Sequence, residues 1–406
     1  MINRLVGEVN SPVRACKAVN AKPFYASKSE GPFIFDENNK PFVDYVCGFG
    51  PILVGHKHPA IDQLLQTANN LSALGVCHAS EIKLANQIHA FMPHIEKIRF
   101  TNSGAEAAGT AVRLAKAYTH KTKIIKFIGQ YHGATDSVLG YVQPGNLNDN
   151  GIDPHTASQL ICVPFNDEKA LASVIVEHHE NIAGLMIELF SGNMGFIPAT
   201  KSFINKAKAL CEQYNIVFIA DEVMTGFRVH ARGASHLYDV RPDLTMLGKV
   251  IGGGFPIGAV GGKEEIMNLL SPEGGVYHAG TFAGHPLCMQ AGSIVLDMIQ
   301  NQNLLDHCEQ YIQTLCKELA TIFKAKGIPF CTDHRQAMFG FFFQSHYPSC
   351  FKEVEPSSQA YFEKFYHHMR NQGVLLPPAH LEALFVTHAH NDQCLEITLQ
   401  AAKDAF

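Results

Sequence analysis

From residue 97 to residue 261 the chain alternates short apolar, β-rich runs with stretches rich in Ala, Leu, Lys and Glu. The runs at 97–100, 123–128, 160–164, 184–189, 216–220, 244–247 and 257–261 have strand length and composition, whereas 105–118, 168–178 and 201–213 favour helix. Few folds satisfy that pattern. Runs this apolar need cover on both faces, so the expected fold is α/β, a mainly parallel sheet covered by helices. Ligands in such sheets bind beyond the carboxyl ends of the strands, and residues placed there are the first candidates for chemistry.

The two ends of the chain read differently. Residues 33–35 and 42–46, joined by the polar turn 36–41, suggest a hairpin. Past residue 290 come helical stretches at 286–301, 304–324 and 357–371, with a strand near 339–343. A length of 406 residues exceeds the usual single domain. The expected division is a large domain over 60–290, with 1–59 and 291–406 forming a smaller α+β domain. With 46% hydrophobic and 17% charged residues the composition is that of a globular protein rather than a disordered one. A formal charge of −5 offers no broad basic face for nucleic acid. No apolar run reaches membrane-spanning length and the N-terminus lacks the apolar core of a signal peptide, so a cytoplasmic location is expected. The cysteines include no C-x-x-C pair and the histidines no metal-ligand spacing, so no metal is expected.

The chemistry-bearing residues sit where strands end. Lys249 follows the run 244–247 and precedes a glycine-rich turn. Burial there disfavours its charged form, and a less protonated amine attacks aldehydes, as Schiff-base lysines do. On its own it fits a solvated strand-end lysine equally well. Asn102-Ser103-Gly104-Ala105 opens a helix, whose leftover N–H groups suit a phosphate. Ser103 is equally a plain helix cap. Asp221 closes the run 216–220 and needs a cationic or donor partner; a protonated pyridine nitrogen, an internal salt bridge or a helix cap would each serve. Tyr131-His132-Gly133 offers an aromatic ring for stacking on a flat ligand, and Thr281 a hydroxyl beside glycine. A phosphate cradle, a stacking ring, a buried acid and a strand-end lysine, in that order, are the requirements of pyridoxal phosphate.

These stretches identify a resemblance to the fold-type I pyridoxal-phosphate enzymes of the class III aminotransferase family, and within it to the glutamate-1-semialdehyde 2,1-aminomutase group. The resemblance spans nearly the whole chain, from Asn10-Ser11-Pro12-Val13-Arg14 through Gly192-Asn193-Met194-Gly195 and Asp221-Glu222-Val223-Met224 to 247–255. It implies that Lys249 is the Schiff-base and proton-transfer residue and that Asp221 pairs with the pyridine nitrogen. It further implies that Val223 packs on the ring opposite Tyr131, with His132 nearby, and that Asn193 reaches the phenolic oxygen. Ser103, Gly104 and Ala105 would hold the phosphate, helped by Thr281 from the partner subunit of a homodimer. Ser11 and Arg14 match a substrate-carboxylate region, and Glu382 a glutamate near the active site.

The activity so implied is an internal amino exchange that turns glutamate 1-semialdehyde into 5-aminolevulinate for tetrapyrrole synthesis. The chain departs from the group's pattern around substrate and lid. The segment 140–149 lacks the usual glycine- and serine-rich composition, Ala105 stands for threonine, Phe49 for tryptophan, and Ala283 and His285 for serine and asparagine. Two other readings stay open: a class III transaminase or related mutase acting on another amine, and a non-catalytic protein on the same fold. Arg14, and the absence of arginine from Gly373-Val374-Leu375-Leu376-Pro377-Pro378, favour the aminomutase over the transaminase.

Overall fold

The computed structural model describes residues 4–69, 72–140 and 151–406, so most of the segment 140–149 lies outside the described residues. Three short strands near the N-terminus, β1 (Ala26–Glu30), β2 (Phe33–Asp36) and β3 (Pro41–Asp44), form an antiparallel ribbon. The central strands follow: β4 (Lys97–Thr101), β5 (Lys123–Phe127), β6 (Leu160–Val163) and β7 (Ile182–Ile187). A two-stranded ribbon, β8 (Phe190–Ser191) with β9 (Ile197–Pro198), precedes β10 (Val217–Asp221), β11 (Leu244–Gly248) and β12 (Gly258–Gly262). Near the C-terminus lie β13 (Cys331–Arg335), β14 (Met338–Phe342), β15 (Val374–Leu375) and β16 (Leu384–Phe385).

The central sheet runs β4-β12-β11-β10-β7-β5-β6. Its pairings are parallel except at β12, which is antiparallel to both β4 and β11. The reversal has a simple cause: the connection 249–257 is too short for the crossover that a parallel neighbour requires. Every residue of β7, β10, β11 and β12 is buried, so these strands read as continuous apolar runs rather than alternating ones. The expected mainly parallel α/β sheet is present, with strand ends shifted by one or two residues.

Segments from both chain ends share one sheet, because β15 pairs in parallel with β3 through Val374 opposite Val43. They also share a core in which Tyr45 packs edge-on against Phe339 and bonds Thr398 at 2.8 Å and Tyr311 at 2.6 Å. No helix among the described residues is long and apolar enough to cross a membrane.

Arg228 joins these parts. Its side chain is fully buried and, among the described residues, hydrogen-bonds only to carbonyl oxygens: Gly50 (2.7 Å), Ile52 (2.8 Å), Ala337 (3.1 Å) and Val386 (3.1 Å). The guanidinium also lies over the Phe385 ring at 5.1 Å. Burial lowers its pKa to about 10, which leaves it charged at neutral pH. Five fixed N–H donors suit that bridging role, and a lysine has too few in the wrong geometry. Arg228→Leu is expected to lower unfolding stability by on the order of 4 kcal/mol, since each orphaned buried acceptor costs about 1–3 kcal/mol. Arg228→Lys should recover under half of that loss in urea denaturation.

Candidate active site

A cavity of about 600 Å³ opens beyond the carboxyl ends of the central strands, where the sequence placed its candidates. Ser103 follows β4, Tyr131 and His132 follow β5, Asp221 ends β10 and Lys249 follows β11; all line the cavity. So does Glu188, which follows β7.

Lys249 comes directly after Gly248 and holds φ at +49°, a left-handed conformation that costs a non-glycine residue about 1–3 kcal/mol. Gly50, whose carbonyl is gripped by Arg228, covers it: a Cβ on Gly50 would lie 3.1 Å from Lys249 Cδ. A side chain at residue 50 would therefore displace the lysine. Burial lowers the pKa of the Lys249 amine, opposed by the negative charges of Glu382, Glu188 and Asp221. Its Nζ has no hydrogen-bond partner among the described residues, so the amine is free for a ligand.

Asp221 is only 5% exposed. Its Oδ2 lies 2.7 Å from His132 Nδ1, and its Oδ1 accepts from the Val223 N–H at 3.0 Å. Burial lowers the His132 pKa, so the ring stays neutral and donates through Nδ1. Its Nε2 is buried with no partner among the described residues. The carboxylate charge is thus oriented but not neutralised. That arrangement suits a cation, such as a protonated ring nitrogen, arriving with a ligand.

At the far side of the cavity, Ser103 caps the helix Gly104–Thr119, its Oγ accepting from the Glu106 N–H at 3.2 Å. The hydroxyl hydrogen is still available, so cap and ligand donor are compatible roles for one serine. The first N–H groups of the helix, at Gly104 and Ala105, have no partner within the helix itself. Gly104 is closely packed: a Cβ there would sit 3.0 Å from Val223 Cγ1. Gly133, at φ +105°, rests on the helix start, where a Cβ would lie 2.6 Å from Ala105 Cα. An anion-binding corner results, with no room for larger side chains.

Glu188 is the site residue that the sequence reading misses. It is 3% exposed, and burial, followed by the negative charge of Asp221, lifts its carboxyl pKa to about 8. Residue order marks it less clearly than Asp221, because Glu188 interrupts the apolar run Leu185-Met186-Ile187-Glu188-Leu189-Phe190 instead of closing it. Asn193 lies beside it, half-buried, within 3.4 Å.

Ser11 precedes a short 3-10 turn (Pro12–Ala15) that carries Arg14, and both residues line the cavity. Arg14 is exposed and has no ion-pair partner among the described residues. Glu382 lines the cavity half-buried, its carboxyl pushed up to about 7 by burial against the pull of Lys249. The Tyr131 ring is 40% exposed and Val223 half-buried on the cavity wall. Thr281 is exposed and does not line this cavity, although neighbouring Gly280 packs near Asn102.

A family model described as aminotransferase class-III matches residues 16–402. Among solved structures, an omega-transaminase from Sphaerobacter thermophilus is similar at 26% identity, covering 98% of this chain and 94% of that one, with a TM-score of 0.91. A transaminase with PLP bound is 24% identical over 98% and 93% of the two chains, TM-score 0.87. A glutamate-1-semialdehyde-aminomutase from Pseudomonas aeruginosa is 21% identical over 94% and 87%, TM-score 0.84.

The tight seat of Gly133 on the helix start yields a direct test. Gly133→Ala should weaken pyridoxal phosphate binding by at least about ten-fold, or 1.4 kcal/mol. Absorbance titration of cofactor-free protein measures this, with far-UV circular dichroism expected to be unchanged.

Proposed function

Because this chain belongs to the class III aminotransferases, a pyridoxal-phosphate-dependent family, we propose that it catalyses the internal amino exchange converting glutamate 1-semialdehyde to 5-aminolevulinate. The observation that carries this reading is Arg14. Among the described residues it is the one guanidinium lining the cavity, and it is unpaired. A single carboxylate clamp suits a substrate whose two reacting carbons both belong to one molecule with one carboxylate. A transaminase that alternates with a dicarboxylic keto acid needs a second cationic clamp.

The residues fit the cofactor. Ser103 and the N–H groups of Gly104 and Ala105 would hold the phosphate, and Asp221, oriented by His132, would hold the proton on the ring nitrogen. Val223 and Tyr131, both on the cavity wall, would flank the ring, and Asn193 would reach its phenolic oxygen. In a homodimer Thr281 serves the neighbouring subunit's phosphate. When bound, the cofactor supplies an electron sink and a carrier for the amino group. Lys249, whose amine burial has made less basic, takes and returns protons at the reacting carbons. Glu382, titrating near neutrality beside it, exchanges protons with that amine. Ser11 and Arg14 keep the substrate carboxylate in place while the amine changes carbon.

A second reading, transamination of a less polar amine, is supported by the apolar wall that Phe49, Met224 and Phe255 contribute. Incubation with glutamate 1-semialdehyde and no amino donor separates the two. Product formation under those conditions is expected; turnover only with an added donor would sink the exchange reading. Lys249→Ala should abolish turnover. Arg14→Ala should raise KM at least about ten-fold while changing kcat less than about three-fold, the pattern of lost uniform binding.

A further inference from the structure

Glu188 is held from several sides. Its backbone N–H donates to Gln130 Oε1 at 2.9 Å, and its carbonyl accepts from Gln130 Nε2 at 2.8 Å. Its carboxyl accepts from the Tyr131 N–H and the Gly192 N–H, each at 3.0 Å. The remaining neighbour is Asn193, whose Nδ2 lies 3.4 Å and 3.5 Å from the two carboxyl oxygens. Among the described residues Asn193 makes no other side-chain hydrogen bond. A locked carboxyl therefore faces an amide that is free to turn, and both line the cavity that Lys249 and Asp221 share.

An amide has a donor end and an acceptor end. An ionised carboxylate only accepts, so it draws the Asn193 NH2 toward itself and leaves the Asn193 carbonyl facing the cavity. A protonated carboxyl donates to that carbonyl and turns the NH2 outward. We propose that Glu188 and Asn193 form a proton-controlled amide toggle, in which the protonation of Glu188 decides whether a donor or an acceptor is presented to the phenolic oxygen of the cofactor. Glu188 is on this reading a positioning residue; the inference rests on the proposed placement of Asn193 against that oxygen and is independent of which substrate is turned over.

The groups around Glu188 set where the toggle operates. Burial and the negative charge of Asp221 hold the proton on, the two backbone donors and Lys249 pull it off, and Lys126, buried on β5, adds a weaker positive field. His132 stays neutral, and Glu382 lies across the cavity. The carboxyl loses its proton near pH 8 rather than the usual 4.5. Because its folded value is raised, Glu188 contributes most to stability below pH 4.5, and that contribution is lost as pH rises through about 8. An NH2 aimed at the phenolic oxygen stabilises its anion, so the proton there leaves at lower pH. When Glu188 ionises the donor turns away and the anion loses support. The two titrations oppose each other and broaden the cofactor's spectral transition.

The holoenzyme tests this by pH titration of its visible absorption band. The wild type should show a broadened transition. Glu188→Gln, whose amide donates permanently to the Asn193 carbonyl, should sharpen it and move the midpoint down by about one unit, the equivalent of one hydrogen bond. Adding Asn193→Ala to the wild type and to the Glu188→Gln variant should abolish the difference between them. In cofactor-free protein, the infrared carboxylic-acid band that Glu188→Gln removes should vanish with a midpoint near pH 8. If Glu188→Gln does not fold, Asn193→Ala alone carries the test: it should sharpen the wild-type transition, and an unchanged breadth would overturn the toggle. Disappearance of the band near pH 5, or a midpoint shift that survives Asn193→Ala, would overturn the toggle. Absence of aminomutase turnover would overturn the proposed reaction and leave these readouts as they are.

Discussion

Everything at this site depends on one buried cation without a carboxylate. Arg228 distributes its donors among carbonyls of the N-terminal segment, the turn before β14 and the strand-end at Val386. Through Gly50 it sets the roof above Lys249, and through Val386 and Phe385 it holds the C-terminal segment that carries Glu382. Two stretches distant in sequence, those around Gly50 and Glu382, are thereby held at the cavity wall. A hydrophobic replacement would fill the volume but orphan the carbonyls, so packing alone is no substitute.

The cavity collects charge that water would otherwise neutralise. Burial makes the Lys249 amine less basic, lifts the carboxyls of Glu188 to about 8 and Glu382 to about 7, and lowers the His132 pKa. Asp221 is aimed by His132 and Val223, with no cation of its own. Such a balance suits a ligand with a cationic atom near Asp221, an anion at the helix Gly104–Thr119 and an aldehyde within reach of Lys249. The class III aminotransferase family, which is pyridoxal-phosphate-dependent, meets all three demands.

Much of this is legible in the residue order. An acid or a lysine closing an apolar run marks a strand end, and the Ser103-Gly104 pair marks a helix start; burial and backbone geometry explain why. Glu188 interrupts an apolar run instead of closing one, and what distinguishes it is its proximity to Asn193 and Asp221, the second of which comes from another strand end. In the sequence Arg228 is only part of a motif. Its four carbonyl partners span residues 50 to 386, and no local pattern encodes a contact of that range. Thr281, expected to serve a neighbouring subunit, stands outside the cavity formed by its own chain.

The sequence by itself determined the class of fold, the family and the residues at the strand ends, since hydrophobic period, turn chemistry and residue type are local properties of the chain. Only the tertiary structure decided how those residues act on one another. Which carboxyl keeps its proton, which amine loses it and which amide is free to turn depend on desolvation and on charges a few ångströms away. Those distances exist only once β5, β7, β10 and β11 lie side by side.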